Sequence, residues 1–105
     1  MSKRVIFFHQ KALEDIEEIT CFIAEDSPKS ALSFREMLEQ ACELLAEMPD
    51  MGVARNFTHP LLTDVRLWPL ERFEKYLIFY RAQLDTLEII RVLHGARDLP
   101  SLFAD

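Results

Sequence analysis

Apolar and polar positions recur along this chain with two different periods, and the changes of period mark its elements. Near the N-terminus, Arg4-Val5-Ile6-Phe7-Phe8 is a continuous apolar run of strand length, which predicts a strand buried on both faces. A 3.6-residue period follows. Ala12, Ile16, Ile19 and Ile23 fall on one stripe, and Glu14, Asp15, Glu17 and Glu18 fall away from it. This predicts an amphipathic helix whose acids also favour the positive end of its dipole. Ser27-Pro28 then reads as an N-cap followed by proline at the first helical position, where a missing N–H costs nothing. The second helix runs from there to about Met48, because Pro49 disfavours helical geometry at the residue before it and Gly52 marks an exit loop.

The second helix carries its main stripe on Ala31, Phe34, Arg35, Leu38, Ala41, Cys42 and Leu45. Met37, Leu44 and Met48 form an adjoining stripe that widens the apolar arc to roughly 200°, beyond the ~100° a surface helix needs. Such surplus is used either by sandwiching the helix between its partner and a sheet, or as a docking groove for another protein, and the two uses are compatible. Phe22 supports the groove, because it lies among the acids of the first helix and is expected to be partly exposed.

The period then changes to two. Val65-Arg66-Leu67-Trp68 alternates, with Val65 and Leu67 on one face and Arg66 and Trp68 on the other. Tyr76-Leu77-Ile78-Phe79-Tyr80-Arg81 and Glu88-Ile89-Ile90-Arg91-Val92-Leu93 are rich in β-branched and aromatic residues and are separated by Ala82-Gln83-Leu84-Asp85. They predict an antiparallel hairpin. The second of these strands ends in His94-Gly95-Ala96-Arg97-Asp98, bringing an imidazole and a guanidinium to one sheet edge, with Gly95 supplying freedom to turn. The predicted fold is α+β: an N-terminal strand, an antiparallel helix pair, then a three-stranded antiparallel sheet with the helices on one face and the other face open.

Composition narrows the function. The 105 residues are half apolar with only two glycines, which fits one domain over residues 1–105 that needs no metal or disulfide to fold. No apolar run approaches the ~20 residues of a membrane span, and the N-terminal run is too short for a signal peptide, so a cytoplasmic protein without membrane contact is expected. Cys21 and Cys42 stand in no metal-ligand spacing and read as packing residues.

The net charge of −6 belongs to the first half: residues 1–50 hold five Lys/Arg against eleven Asp/Glu, and residues 51–105 hold seven of each. A protein that tracks phosphates shows a basic excess, so direct nucleic-acid binding is not expected. There is no Gly-rich phosphate loop, paired helical histidines or nucleophile elbow, so neither a cofactor nor a metal is expected. His9, His59 and His94 are scattered singly, and only His94 sits beside other candidate groups.

Five segments in order carry a family resemblance. They are Ile19 through Pro28 with Ala31, Leu45 through Gly52 with Arg55, Val65 through Pro69, Tyr76 through Arg81, and Arg91-Val92-Leu93-His94-Gly95-Ala96-Arg97-Asp98. Together they resemble the RelE/ParE toxin superfamily over almost the whole chain, and the ParE branch most of all. The last segment is the most specific. The resemblance implies the toxin of a type II toxin–antitoxin module, a plasmid-stabilisation type of protein held inactive in a hetero-oligomer with a ParD-like antitoxin. ParE-like toxins act on DNA gyrase, whereas RelE-like toxins cut messenger RNA on the ribosome.

Chemistry separates the branches. RNA cleavage needs cations at the scissile phosphate and groups that move protons. In the match to the cleaving relatives, their arginine after the strand tyrosine falls on Leu77, and their C-terminal tyrosine falls near Phe103. Arg66 and Arg97 are the surviving cations. No catalytic residue is therefore expected. The reading is a non-enzymatic gyrase inhibitor, with a ribosome-dependent endoribonuclease as the alternative and a non-toxic antitoxin-binding member as a third. Target inhibition is expected at Arg91, His94, Arg97 and Phe103 with Arg66, and antitoxin binding at Phe22, Met37, Leu44 and Met48. Beside these roles stand structural ones: Arg91 pairing with Glu88 or Asp98, Arg97-Asp98 capping a turn, and Trp68 and Tyr80 packing the sheet.

Overall fold

The computed structural model of the chain describes residues 3–55 and 62–98. Strand β1 (Val5–Phe8) leads through His9 into helix α1 (Gln10–Asp26), and helix α2 (Pro28–Glu47) follows after a single residue. That residue is Ser27. Its N–H donates to the Ile23 carbonyl and closes α1, while its hydroxyl accepts from the Ser30 N–H at 3.1 Å and opens α2, with Pro28 in the first turn. One residue thus serves both helix ends, and so short a joint forces the helices to run antiparallel.

The predicted stripes are buried except at Ile23, which is only partly buried against the core, and at Arg35. Ala12, Ile16 and Ile19 of α1 and Ala31, Phe34, Leu38, Ala41, Cys42 and Leu45 of α2 line the core, joined by Ala46 in place of Arg35, which is exposed.

After α2, a 3₁₀ turn (Pro49–Met51) leads to β2 (Val53–Ala54), β3 (Arg66–Leu70), β4 (Phe73–Ala82) and β5 (Thr86–His94). Among the described residues the sheet has five strands in the order β1-β5-β4-β3-β2, where three were expected. The predicted hairpin is β4–β5, antiparallel from Ala82↔Leu87 to Tyr76↔His94. The two additional strands are the edges. β2 pairs two residues with β3 and is too short to produce a period, while β1 pairs in parallel with β5 from Val5↔Thr86 to Phe8↔Ile89.

β1 is not buried on both faces. Ile6 and Phe8 pack on the core, but Val5 and Phe7 are 70% and 56% exposed, because α1 and α2 cover the face of Ile6 and Phe8, and among the described residues β1 is an edge strand.

The sheet face opposite the helices is not open either. Leu62, Val65, Leu67, Phe79, Ile90 and Leu93 form a second buried cluster there, with Leu77 packed against it. The alternation read in Val65-Arg66-Leu67-Trp68 holds, since Trp68 joins the helix-side core. Tyr80 is fully buried, and its hydroxyl donates to the Pro49 carbonyl at 2.6 Å and accepts from the Gly52 N–H at 2.9 Å. A Cβ at Gly52 would collide with that phenol and with the Leu67 carbonyl, so glycine is required here for close approach.

Candidate functional site at the end of β5

The C-terminal edge begins with an irregularity. Between Phe79↔Arg91 and Tyr80↔Ile89 the β4–β5 register shifts by one, leaving Ile90 as an extra residue. The shift changes which side of β5 each later amide faces. Gly95 N–H donates to the Lys75 carbonyl of β4 at 2.7 Å, whereas Val92 and His94 N–H donate to the carboxylates of Asp15 and Asp98, each at 3.1 Å. The predicted tip is therefore a turn that closes on itself. Arg97 and Asp98 N–H donate to the His94 carbonyl at 3.2 and 2.8 Å, and Ala96 and Arg97 N–H both reach the His94 Nδ1 at 3.2 Å. Those contacts make Nδ1 an acceptor, so in the neutral ring the proton sits on Nε2. The imidazole also meets the Tyr76 ring edge-on, at 5.2 Å between centroids.

Gly95 has no left-handed backbone conformation, contrary to the turning role expected for it. Its value is closeness to Leu77: a Cβ would come within 3.3 Å of that side chain.

The arginines are paired internally. Arg91 donates to Asp15 of α1 from Nε and Nη2, at 2.7 and 2.9 Å, and this bidentate pairing raises its pKa further above the usual range. Its hydrogen-bonded partner is thus neither Glu88 nor Asp98, although the charge of Asp98 adds to the same upward shift. Glu88 is taken by Arg81 at 3.0 Å, Gln83 at 3.0 Å and His9 at 2.9 Å, and the Arg81 bond is the main reason its carboxyl falls to about 2. Arg66 donates to the Gly52 carbonyl at 2.7 Å and stands opposite Tyr80 on β3, while His94 stands opposite Tyr76 on β5. Arg66 is therefore not gathered into the tip. Arg97 lies 3.9 Å from Asp98 and stacks over the Phe22 ring of α1 at 5.6 Å. Phe103 and His59 lie outside the described residues.

The candidates on α2 separate. Met37 packs against the core, whereas Leu44 and Met48 are exposed on the same flank. A groove of about 550 Å³ opens on the other flank, between β1, α1 and α2, over Ile6, Phe8, Leu13, Leu32 and Leu38, with Arg35, Glu36, Glu39 and Glu43 along it. Neither Leu44 nor Met48 lines it. Cys42 lies at this groove, buried, its thiol pushed up to about 12 by desolvation, while Cys21 is exposed and donates to Glu17 at 3.7 Å.

Three candidates are not legible as such in the sequence pattern: Asp15, Leu13 and Leu32. Asp15 falls with the acids away from the α1 stripe, and Leu13 and Leu32 stand beside the stronger apolar stripes. The available signal for Asp15 was its spacing of seven from Phe22, which places both on one flank of α1.

Among the described residues no group of His, Cys, Asp and Glu could hold a metal ion, and no helix is long and apolar enough to cross a membrane.

Comparison with known proteins adds the family. No curated protein matches the chain. Among solved structures, a chain of the chromosomal ParDE TA system from P. aeruginosa matches with a TM-score of 0.68 at 20% identity, over 88% of this chain and 96% of that one. At that identity the likeness carries the fold. Residues 6–99 match the family described as the ParE toxin of type II toxin-antitoxin system, parDE. With nearly the whole chain matched and the strand–helix–helix–sheet order in place, the protein belongs to the ParE toxin family.

Proposed function

We propose that this toxin inhibits DNA gyrase by protein–protein contact, without catalysis of its own, and is neutralised in a hetero-oligomer with a ParD-like antitoxin. The observation that carries the non-enzymatic reading is the setting of Leu77. At the position where the resemblance puts an arginine of the RNA-cleaving relatives, this chain has a leucine packed against the apolar cluster of Leu67, Phe79, Ile90 and Leu93. A phosphoryl centre needs preorganised cations where charge develops, and an apolar cluster offers none. Arg66 and Arg97, the remaining cations of that pattern, are engaged with Gly52 and Asp50 in one case and with Asp98 and Phe22 in the other.

The gyrase contact is assigned to the C-terminal edge, His94 and Arg97 with the segment through Phe103. The antitoxin is assigned to α2, in the groove beside Leu32, with the flank of Leu44 and Met48 as the competing surface. The solved relative comes from a system named for toxin and antitoxin together, which supports that partner.

Expression of the full chain without antitoxin separates the readings. The expected result is growth arrest with intact transcripts, and loss of supercoiling when the purified protein is added to gyrase. Early transcript cleavage favours the ribosome-dependent endonuclease, and normal growth favours a non-toxic member.

A further inference from the structure

β5 extends beyond its neighbour. β1 pairs with it only as far as Ile89, where His9 N–H closes the ladder on the Ile89 carbonyl at 2.9 Å. Beyond that point the extra residue Ile90 turns Val92 and His94 N–H toward the vacated side. Unpaired amides on a strand edge invite another strand to add. Here a carboxylate takes each one: Asp15 from α1 and Asp98 from the tip.

Asp15 also forms the bidentate pair with Arg91. Seven residues on, two turns along the same flank and so about 10 Å away, Phe22 lies beneath the Arg97 guanidinium. Helix α1 therefore holds the C-terminal edge at two points, by charge and by an aromatic face. Phe22 is 54% exposed and the Arg97 side chain 52%, so the pair is presented outward.

Building on the gyrase reading, we propose that Asp15 and Phe22 are positioning residues of the toxic edge, and that Phe22 serves the target contact instead of the antitoxin. A guanidinium already resting on a ring loses less freedom when it meets a partner's carboxylate, which preserves affinity. The partner surface that fits is a carboxylate for Arg97 bordered by an apolar patch for the open part of the Phe22 ring.

Phe22→Leu keeps apolar bulk but removes the ring face. Asp15→Asn keeps an acceptor for Val92 N–H but removes the charge. Each is titrated as the purified full chain against gyrase supercoiling, and its affinity for the cognate ParD-like antitoxin is measured in parallel. The expected result for each is a rise of about fivefold in the half-inhibitory concentration, with antitoxin affinity retained and Asp15→Glu recovering part of the loss. Arg97→Ala should also cost less in the Phe22→Leu background than alone, since the two act as a pair. Unchanged inhibition by both variants, strict additivity with Arg97→Ala, or antitoxin affinity falling in step with inhibition overturns the inference. If the wild-type protein leaves gyrase untouched, the gyrase reading falls by itself. The same variants are then scored by growth arrest, where arrest equal to wild type overturns the positioning role.

Discussion

Tyr80 shows how one side chain ties distant segments together. Its phenol is the partner of both the Pro49 carbonyl and the Gly52 N–H, so the loop that leaves α2 is fastened to the C-terminal part of β4. Tyr80→Phe leaves the buried Gly52 amide without that acceptor, and the expected loss is about 1–3 kcal/mol of unfolding free energy in a denaturant titration. Glu88 makes a pH-dependent contribution. Its carboxyl titrates at about 2 in the fold against an ordinary value of 4.5, chiefly because Arg81 bonds the ionised form. The lowered value means that its stabilisation is complete above the unfolded pKa and is lost as pH falls from about 4.5 toward 2. The stability gap between wild type and Glu88→Gln should therefore be wide at pH 7 and narrow at pH 2.5; an unchanging gap refutes the assignment.

Helix α2 is an element with two different flanks. Its core stripe faces α1 and the sheet, Met37, Leu44 and Met48 lie to one side, and Leu32, Glu36, Glu39 and Glu43 border the groove on the other. Met37 already packs against the core, so a charge there tests folding before it tests docking. Leu32, 60% exposed, is the cleaner probe. Leu32→Asp should weaken antitoxin binding by about 2 kcal/mol in calorimetry, the size of an interface hot spot, while leaving the melting temperature near wild type. If Leu44→Asp weakens binding and Leu32→Asp does not, the antitoxin lies on the opposite flank.

Across the molecule, the C-terminal tip adjoins the helix-side core, where His94 meets Tyr76, and the second sheet cluster, where Gly95 packs on Leu77. His94 and Arg97 lie at the edge, outside both buried clusters. The double variant His94→Ala with Arg97→Ala should therefore keep its circular dichroism and antitoxin affinity while losing growth inhibition. A folded double variant that still arrests growth removes the toxic function from this edge. The family match over residues 6–99 covers all of these parts, whereas Phe103 lies beyond it.

Both helices, the Ser27-Pro28 joint, the half-buried strand around Leu67 and the β4–β5 hairpin are legible in the chain because each depends on neighbours within a few positions. Apolar stripes at 3.6 residues, a cap followed by proline, and two β-rich runs around a polar break act locally. The resemblance in the closing Arg91-to-Asp98 segment was equally legible, and it led to the same family. Other features were settled by long-range register. Among the described residues β1 lies at an edge with α1 and α2 over the face of Ile6 and Phe8, so its apolar run does not mean two buried faces. Arg91 had several carboxylates from which a partner might come, and the packing of α1 on β5 chose Asp15, 76 positions away in sequence. The extra residue at Ile90 divides β5 between the two clusters, with Leu87, Ile89 and Val92 in one and Ile90 and Leu93 in the other. No local period encodes that step, because a bulge exists only relative to the strand it pairs with.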